Sequence, residues 1–223
     1  MTSRIPTHGA HPPERITKRI CFILNNITEH NLQRQADEVM SLLPYHFMNW
    51  FAEFIISRVA SEPNLVNLYA EFVLLASDRQ NNFRSHILHL LTREIDTLLQ
   101  SGRLQPCNGK ALKHFGAFLG RLTLAKGIRL GVDIKSLIYV AFKNRPDSLD
   151  YIVPFIAELL KTIKESHSIK TTDHWVTEIL QVAKELHHIT NKLTIQFEIE
   201  LLFSFLQRDM NEINSAFYLR RIK

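Results

Sequence analysis

Glycine is scarce in this sequence, seven among 223 residues, with eight prolines and two cysteines. An all-β chain needs glycine for its tight turns, and a phosphate-cradling α/β enzyme needs it where backbone approaches phosphate. Neither class fits. Cys21 and Cys107 are too few for a disulfide framework and are not arranged as a zinc site. No apolar run approaches the ~18–20 residues that cross a bilayer. The first fifteen residues, MTSRIPTHGAHPPER, lack the apolar stretch of a secretory signal. The expectation is a cytoplasmic or nuclear protein with no membrane partner, on which the Asn26-Ile27-Thr28 sequon stays unmodified. Phosphate-binding loops, dinucleotide fingerprints, nucleophile elbows and zinc-protease motifs are also missing. The nearest approach, Gly116-Ala117-Phe118-Leu119-Gly120-Arg121, has no loop lysine and lies in an amphipathic pattern. Its small residues read instead as a place where two helices come close.

What the chain does have is helical periodicity. With 45% apolar and 22% charged residues and a mean hydropathy of −0.08, it has the balance of a globular domain. Apolar residues recur at three- and four-residue spacing almost throughout. Ile16, Ile20, Ile23 and Leu24 share one face, with Cys21 embedded among them as a buried, inert thiol. Thr28 reads as the N-cap of a helix ending at Leu43 before Pro44. Phe47, Trp50, Phe51, Phe54, Ile55 and Val59 mark a third helix, stopped at Ser61-Glu62-Pro63-Asn64. Leu65 to Leu75 marks a fourth, and Phe83 to Leu98 a fifth, ended by Ser101-Gly102. Leu112 to Leu122 follows Pro106. Asp133 caps a helix to Lys143, and Asp147 opens one that contains Pro154. Asp173 caps a helix through His188, and Leu193–Leu206 forms the last. About ten helices with short turns and no convincing strand predict an all-α solenoid of about five HEAT-like helix pairs.

Charge is uneven along this pattern. Residues 103–145 carry nine Lys or Arg (Arg103, Lys110, Lys113, Arg121, Lys126, Arg129, Lys135, Lys143, Arg145) and one acid, Asp133. Residues 146–219 carry six Lys or Arg and eleven Asp or Glu. A basic block of that density suits a phosphate backbone or an acidic protein surface, or is simply a solvated helix face. Phe115, Phe118, Tyr139 and Phe142 fall mostly at core spacing within it, which argues against a base-stacking platform.

Catalytic chemistry finds little footing. His86 and His89 lie three apart on one helix without further ligands, and the adjacent His187 and His188 point about 100° apart. Glu198 and Glu200 diverge if helical. No catalytic residue, metal site or cofactor is expected.

Five segments in order carry a family resemblance: RICFILNNIT (19–28), WFAEFIISRVASEPNLVNLY (50–69), LKHFGAFLGRLTLAKGIRLGVDIKSLI (112–138), LDYIVPFIAELL (149–160), and WVTEILQVAKELH (175–187) with FEIELL (197–202). Together they resemble the middle domain of initiation factor four-gamma type. The run FGAFLGRLTLAK followed by DIKSL, and VPF with its helical proline, resemble the version in the Not-one scaffold subunit of the Ccr–Not deadenylase complex. The resemblance implies a single domain over 16–213, after a disordered 1–15 and before a 214–223 tail. That tail, Ala216 to Arg221, is amphipathic and can either cap the last repeat or stay loose. The loop Gly127 to Val132 is short for the family, and Leu65 stands where an aromatic is common.

The resemblance also implies a non-catalytic scaffold with two protein partners, supporting mRNA deadenylation, translational repression and decay in the cytoplasm. One partner is the Caf-one/Pop-two deadenylase, expected at Tyr139, Lys143 and Asn144. The other is a DEAD-box RNA helicase, expected at the turn formed by Arg58, Glu62, Asn64 and Leu65. Arg58 and Glu62 are expected to form an exposed ion pair that contributes little to stability. The alternatives are an initiation-factor-like module that grips a translation helicase, or direct RNA binding through 103–145.

Overall fold

A computed structural model describes residues 11–100 and 106–220 of the chain. Among these the structure is all-α, with ten α-helices and no strand. The chain divides into two compact units, residues 1–99 and 100–223.

The first unit is built from α1 (Glu14–Asn25), α2 (Leu32–Leu42), α3 (Met48–Ser61), α4 (Val66–Arg79) and α5 (Phe83–Gln100). Here α1 packs on α2, α2 lies along α4, and α3 packs on α4. Phe51 of α3 is the core aromatic, stacked on Phe83 of α5 at 5.6 Å and meeting Phe72 of α4 edge-on at 6.0 Å. All three rings are buried, so the three helices share one apolar centre.

The second unit holds α6 (Pro106–Leu122), α7 (Ile134–Asn144), α8 (Leu149–Lys161), α9 (His174–Ile189) and α10 (Leu193–Leu206). Helix α8 lies between α6 and α10 in one layer, while α7 packs on α8 and on α9 in the other. This is the helix-pair packing of an α-solenoid. The small residues of α6 explain its tight fit: a methyl added at Gly116 would stand 2.3 Å from the Phe155 carbonyl oxygen. One added at Gly120 would stand 2.8 Å from the Leu159 carbonyl oxygen. Backbone therefore lies almost directly on backbone, as the Gly116–Gly120 spacing suggested. Helix α8 runs through Pro154 without interruption.

Several local expectations need correction. Thr28 does not cap α2; residues 28–31 form a turn in which Asn31 Oδ1 accepts from the Thr28 amide, and α2 starts at Leu32. The Asn31 side chain also donates to the Asn26 carbonyl, so it ties the turn together from both sides. Asp133 caps α7 as expected, accepting from the Lys135 and Ser136 amides. Asp173 occupies the N-cap position of α9 but makes no side-chain cap bond, its carboxylate facing Arg129 instead. The chain after Pro146 first forms a 3-10 turn, and α8 begins only at Leu149. Cys21 is partly exposed, not buried, because it sits at the edge of the apolar stripe of α1. Ser101, Gly102 and Arg103, and the first ten of the fifteen residues expected to be disordered, lie outside the described residues. No described helix is long and apolar enough to cross a membrane.

Candidate partner-binding surfaces

The turn after α3 is organised by a four-residue polar network. Helix α3 ends at Ser61, and Pro63–Leu65 forms a 3-10 turn that leads into α4. Arg58 sits in the last turn of α3, and its Nε donates to the Tyr69 hydroxyl oxygen at 2.8 Å. Its Nη2 donates to Asn25 Oδ1 at 2.8 Å and lies 3.1 Å from Glu62 Oε1. The Tyr69 hydroxyl in turn donates to Glu62 Oε2 at 2.5 Å. The guanidinium also lies over the rings of Phe54 and Tyr69, at 5.7 and 5.9 Å.

The pair is therefore not the exposed bridge expected from its spacing. The Arg58 side chain is only 15% exposed and that of Glu62 31%, because the Tyr69 hydroxyl reaches up from the core between them. Sequence spacing brought Arg58 and Glu62 together; only the fold adds Tyr69 and Asn25. Asn64 is exposed in the turn and Leu65 is half-buried.

Burial, and next the hydrogen bond to the Glu62 carboxylate, hold the Tyr69 hydroxyl well above the usual tyrosine range. A raised folded-state pKa favours the neutral phenol, so its contribution is intact below about pH 10 and is lost as pH rises beyond that. Urea unfolding of the wild type is expected to weaken between about pH 10 and 12 more steeply than that of Tyr69→Phe. Equal slopes for the two proteins would show that the phenol carries none of the alkaline sensitivity.

A second surface forms at the end of α7 and the chain beyond α10. Lys143 and Asn144 are exposed at the helix end, and Tyr139 one turn earlier is half-buried. The Lys143 ammonium lies over the rings of Tyr139 and Phe142, at 5.8 and 5.9 Å. Val140 is exposed on the same helix. Tyr218 meets Tyr139 edge-on at 5.7 Å, and its hydroxyl lies 3.2 Å from Ser136 Oγ. The tail thus caps the second unit rather than staying loose, with Leu219 fully buried.

The tail is anchored by a residue that sequence reasoning missed. Glu185 of α9 is 1% exposed, and its carboxylate accepts from three consecutive amides: Tyr218 at 2.7 Å, Leu219 at 3.0 Å and Arg220 at 3.2 Å. Lys184 beside it donates to the Met210 and Ile213 carbonyls at 2.7 and 2.8 Å. Burying a carboxylate is costly unless its oxygens are filled, and here both are. The only hint in the sequence is an acid amid Val182, Ala183 and Leu186 on an apolar face.

The basic block changes character once folded. Lys113 pairs with Glu158 and Glu198, Arg121 with Glu165, Arg129 with Asp173, and Lys135 with Glu178. Each acid comes from the following acidic segment, so four of the nine cations are offset in space. Direct RNA binding through 103–145 draws no support from this arrangement. Glu198 and Glu200 do diverge, to Lys113 and to His187. Among the described residues no group of three His, Cys, Asp or Glu could hold a metal ion.

Comparison with known proteins gives the family. The sequence model of the CCR4-NOT transcription complex subunit 1 CAF1-binding domain matches residues 8–223. The chain belongs to that family. Members are scaffold domains rather than enzymes, and the match takes in the tail as well as the helices. Among curated relatives, the chain is 32% identical over 219 residues to the CCR4-NOT transcription complex subunit let-711 of Caenorhabditis elegans, across 92% of this chain and 8% of that protein. It is 29% identical over 208 residues to general negative regulator of transcription subunit 1 of Saccharomyces cerevisiae, across 91% of this chain and 10% of that protein. The protein of the same name in Schizosaccharomyces pombe is 28% identical over 223 residues, 95% of this chain and 10% of its own length. The chain therefore spans about a tenth of the length of these relatives.

Proposed function

We propose that this domain docks a CAF1-type deadenylase through the exposed end of α7, and so carries the nuclease within a CCR4-NOT assembly. The observation that carries this reading is the Lys143 ammonium held over Tyr139 and Phe142, beside exposed Asn144 and Val140. Four other cations of its segment are spent on intramolecular pairs, whereas Lys143 pairs with no carboxylate among the described residues. A cation ordered by aromatic faces, with apolar surface next to it, has the composition of an interface anchor. Through that contact the domain acts in cytoplasmic mRNA deadenylation, translational repression and decay.

The test is calorimetric titration of the chain with a purified CAF1-type deadenylase. Lys143→Ala with Asn144→Ala is expected to weaken binding about tenfold or more without lowering the melting temperature. Wild-type affinity in the double variant moves the interface elsewhere.

The polar network at Arg58, Glu62 and Tyr69 favours a second reading. It holds the Pro63–Leu65 turn in one conformation with Asn64 exposed, which suits a pre-organised grip on a DEAD-box RNA helicase. Leu65, half-buried behind the turn, would pack against the same partner.

A further inference from the structure

We propose that Glu185 is a positioning residue for the deadenylase surface, and that the tail it holds, through Phe217 and Tyr218, forms part of that surface. The inference rests on the docking reading given above for α7.

A tether that served stability alone would bury what it carries. Leu219 does this, filling a slot with no exposure. Its neighbours do not. Phe217 is 75% exposed, and Tyr218 lies against Tyr139, the ring that also orders Lys143. The three amides that converge on Glu185 belong to Tyr218, Leu219 and Arg220, so the carboxylate fixes the backbone at the point where these side chains fan out. A second link runs from the Tyr218 hydroxyl to Ser136 Oγ, which donates to Asp133 Oδ2 at the cap of α7. The tail is therefore joined to α7 at its start and along its exposed face. The occupant is the same deadenylase, because Tyr139 is shared: a partner that touches Lys143 over that ring meets Tyr218 at its edge.

Glu185→Gln keeps the shape of the side chain and removes one of its two acceptor oxygens. In the full chain, amide exchange at residues 218–220 is expected to accelerate, and deadenylase affinity to fall about tenfold. In a background carrying both Phe217→Ser and Tyr218→Ala the same substitution should cost no further affinity, since the rings it positions are gone. Additive losses in the two variants would mean that Glu185 acts through general stability and would overturn the proposal. Phe217→Ser touches only an exposed ring, so it tests the surface even if Glu185→Gln folds poorly. It is expected to weaken binding several-fold, and wild-type affinity would remove the tail from the site. Failure here with a loss in the Lys143 and Asn144 variant leaves the α7 reading standing; wild-type affinity in all variants defeats both.

Discussion

Alanine at Gly116 is expected to destabilise the chain by about 2–3 kcal/mol, roughly 10 °C in melting temperature. At a solvent-exposed helical site the same change would stabilise by up to about 1 kcal/mol, because alanine restricts the unfolded chain and favours the helix. The sign reverses here because the added methyl meets the Phe155 carbonyl oxygen at 2.3 Å, and a backbone atom cannot turn aside as a side chain can. Either α6 and α8 separate along their length or α8 distorts at its own hydrogen bonds. Gly131→Ala is the control, since nothing lies within 4 Å of the methyl it would add. Thermal unfolding followed by circular dichroism separates the two. A Gly116→Ala protein as stable as the wild type would mean that the helices are not in backbone contact.

Reversing both charges of the α3 network, Arg58→Glu with Glu62→Lys, is expected to abolish helicase binding and to cost about 2–3 kcal/mol of stability. An exposed pair would have cost about 0–1 kcal/mol. The larger figure follows from what the swap strands. Glutamate is too short to reproduce both the Asn25 and Tyr69 contacts of Arg58, and a lysine at 62 cannot accept from the Tyr69 hydroxyl. Tyr69→Phe removes the hydroxyl while keeping the turn's charges, and so distinguishes the two effects. If helicase affinity follows charge alone, Tyr69→Phe binds normally and the double variant does not. Measuring helicase affinity and urea midpoints for both variants decides the matter. Retained affinity in the double variant would exclude this turn from the interface.

Much of this architecture is local and therefore legible. Three- and four-residue spacing of Ile, Leu and Phe is the geometry of a helix face, so each helix announces itself within its own segment. The Asp133 cap and the Gly116–Gly120 stripe are also local statements, and both correspond to contacts in the structure. What escaped was every feature that depends on residues far apart. Glu185 meets amides more than thirty positions away, and Tyr69 reaches Arg58 eleven positions back. Net charge counted along the chain misled for the same reason: the basic and acidic segments read as separate fields, yet α6 and α7 set their cations against acids from α8, α9 and α10. Thr28 failed as a cap because the Asn31 side chain folds residues 28–31 into a turn, accepting from the Thr28 amide and donating to the Asn26 carbonyl, so that α2 starts only at Leu32.

The glycine contact between α6 and α8 also bears on how load passes through the domain. Packed helices ordinarily yield by sliding, as interdigitated side chains shift between rotamers at little cost. Where carbonyl oxygens of one helix sit against the Cα atoms of the other, there is no such layer to shear. Two partners pulling on a scaffold of this kind would find α6 and α8 moving as one beam. Under force the pair should hold with little creep and then part abruptly, as a brittle joint does.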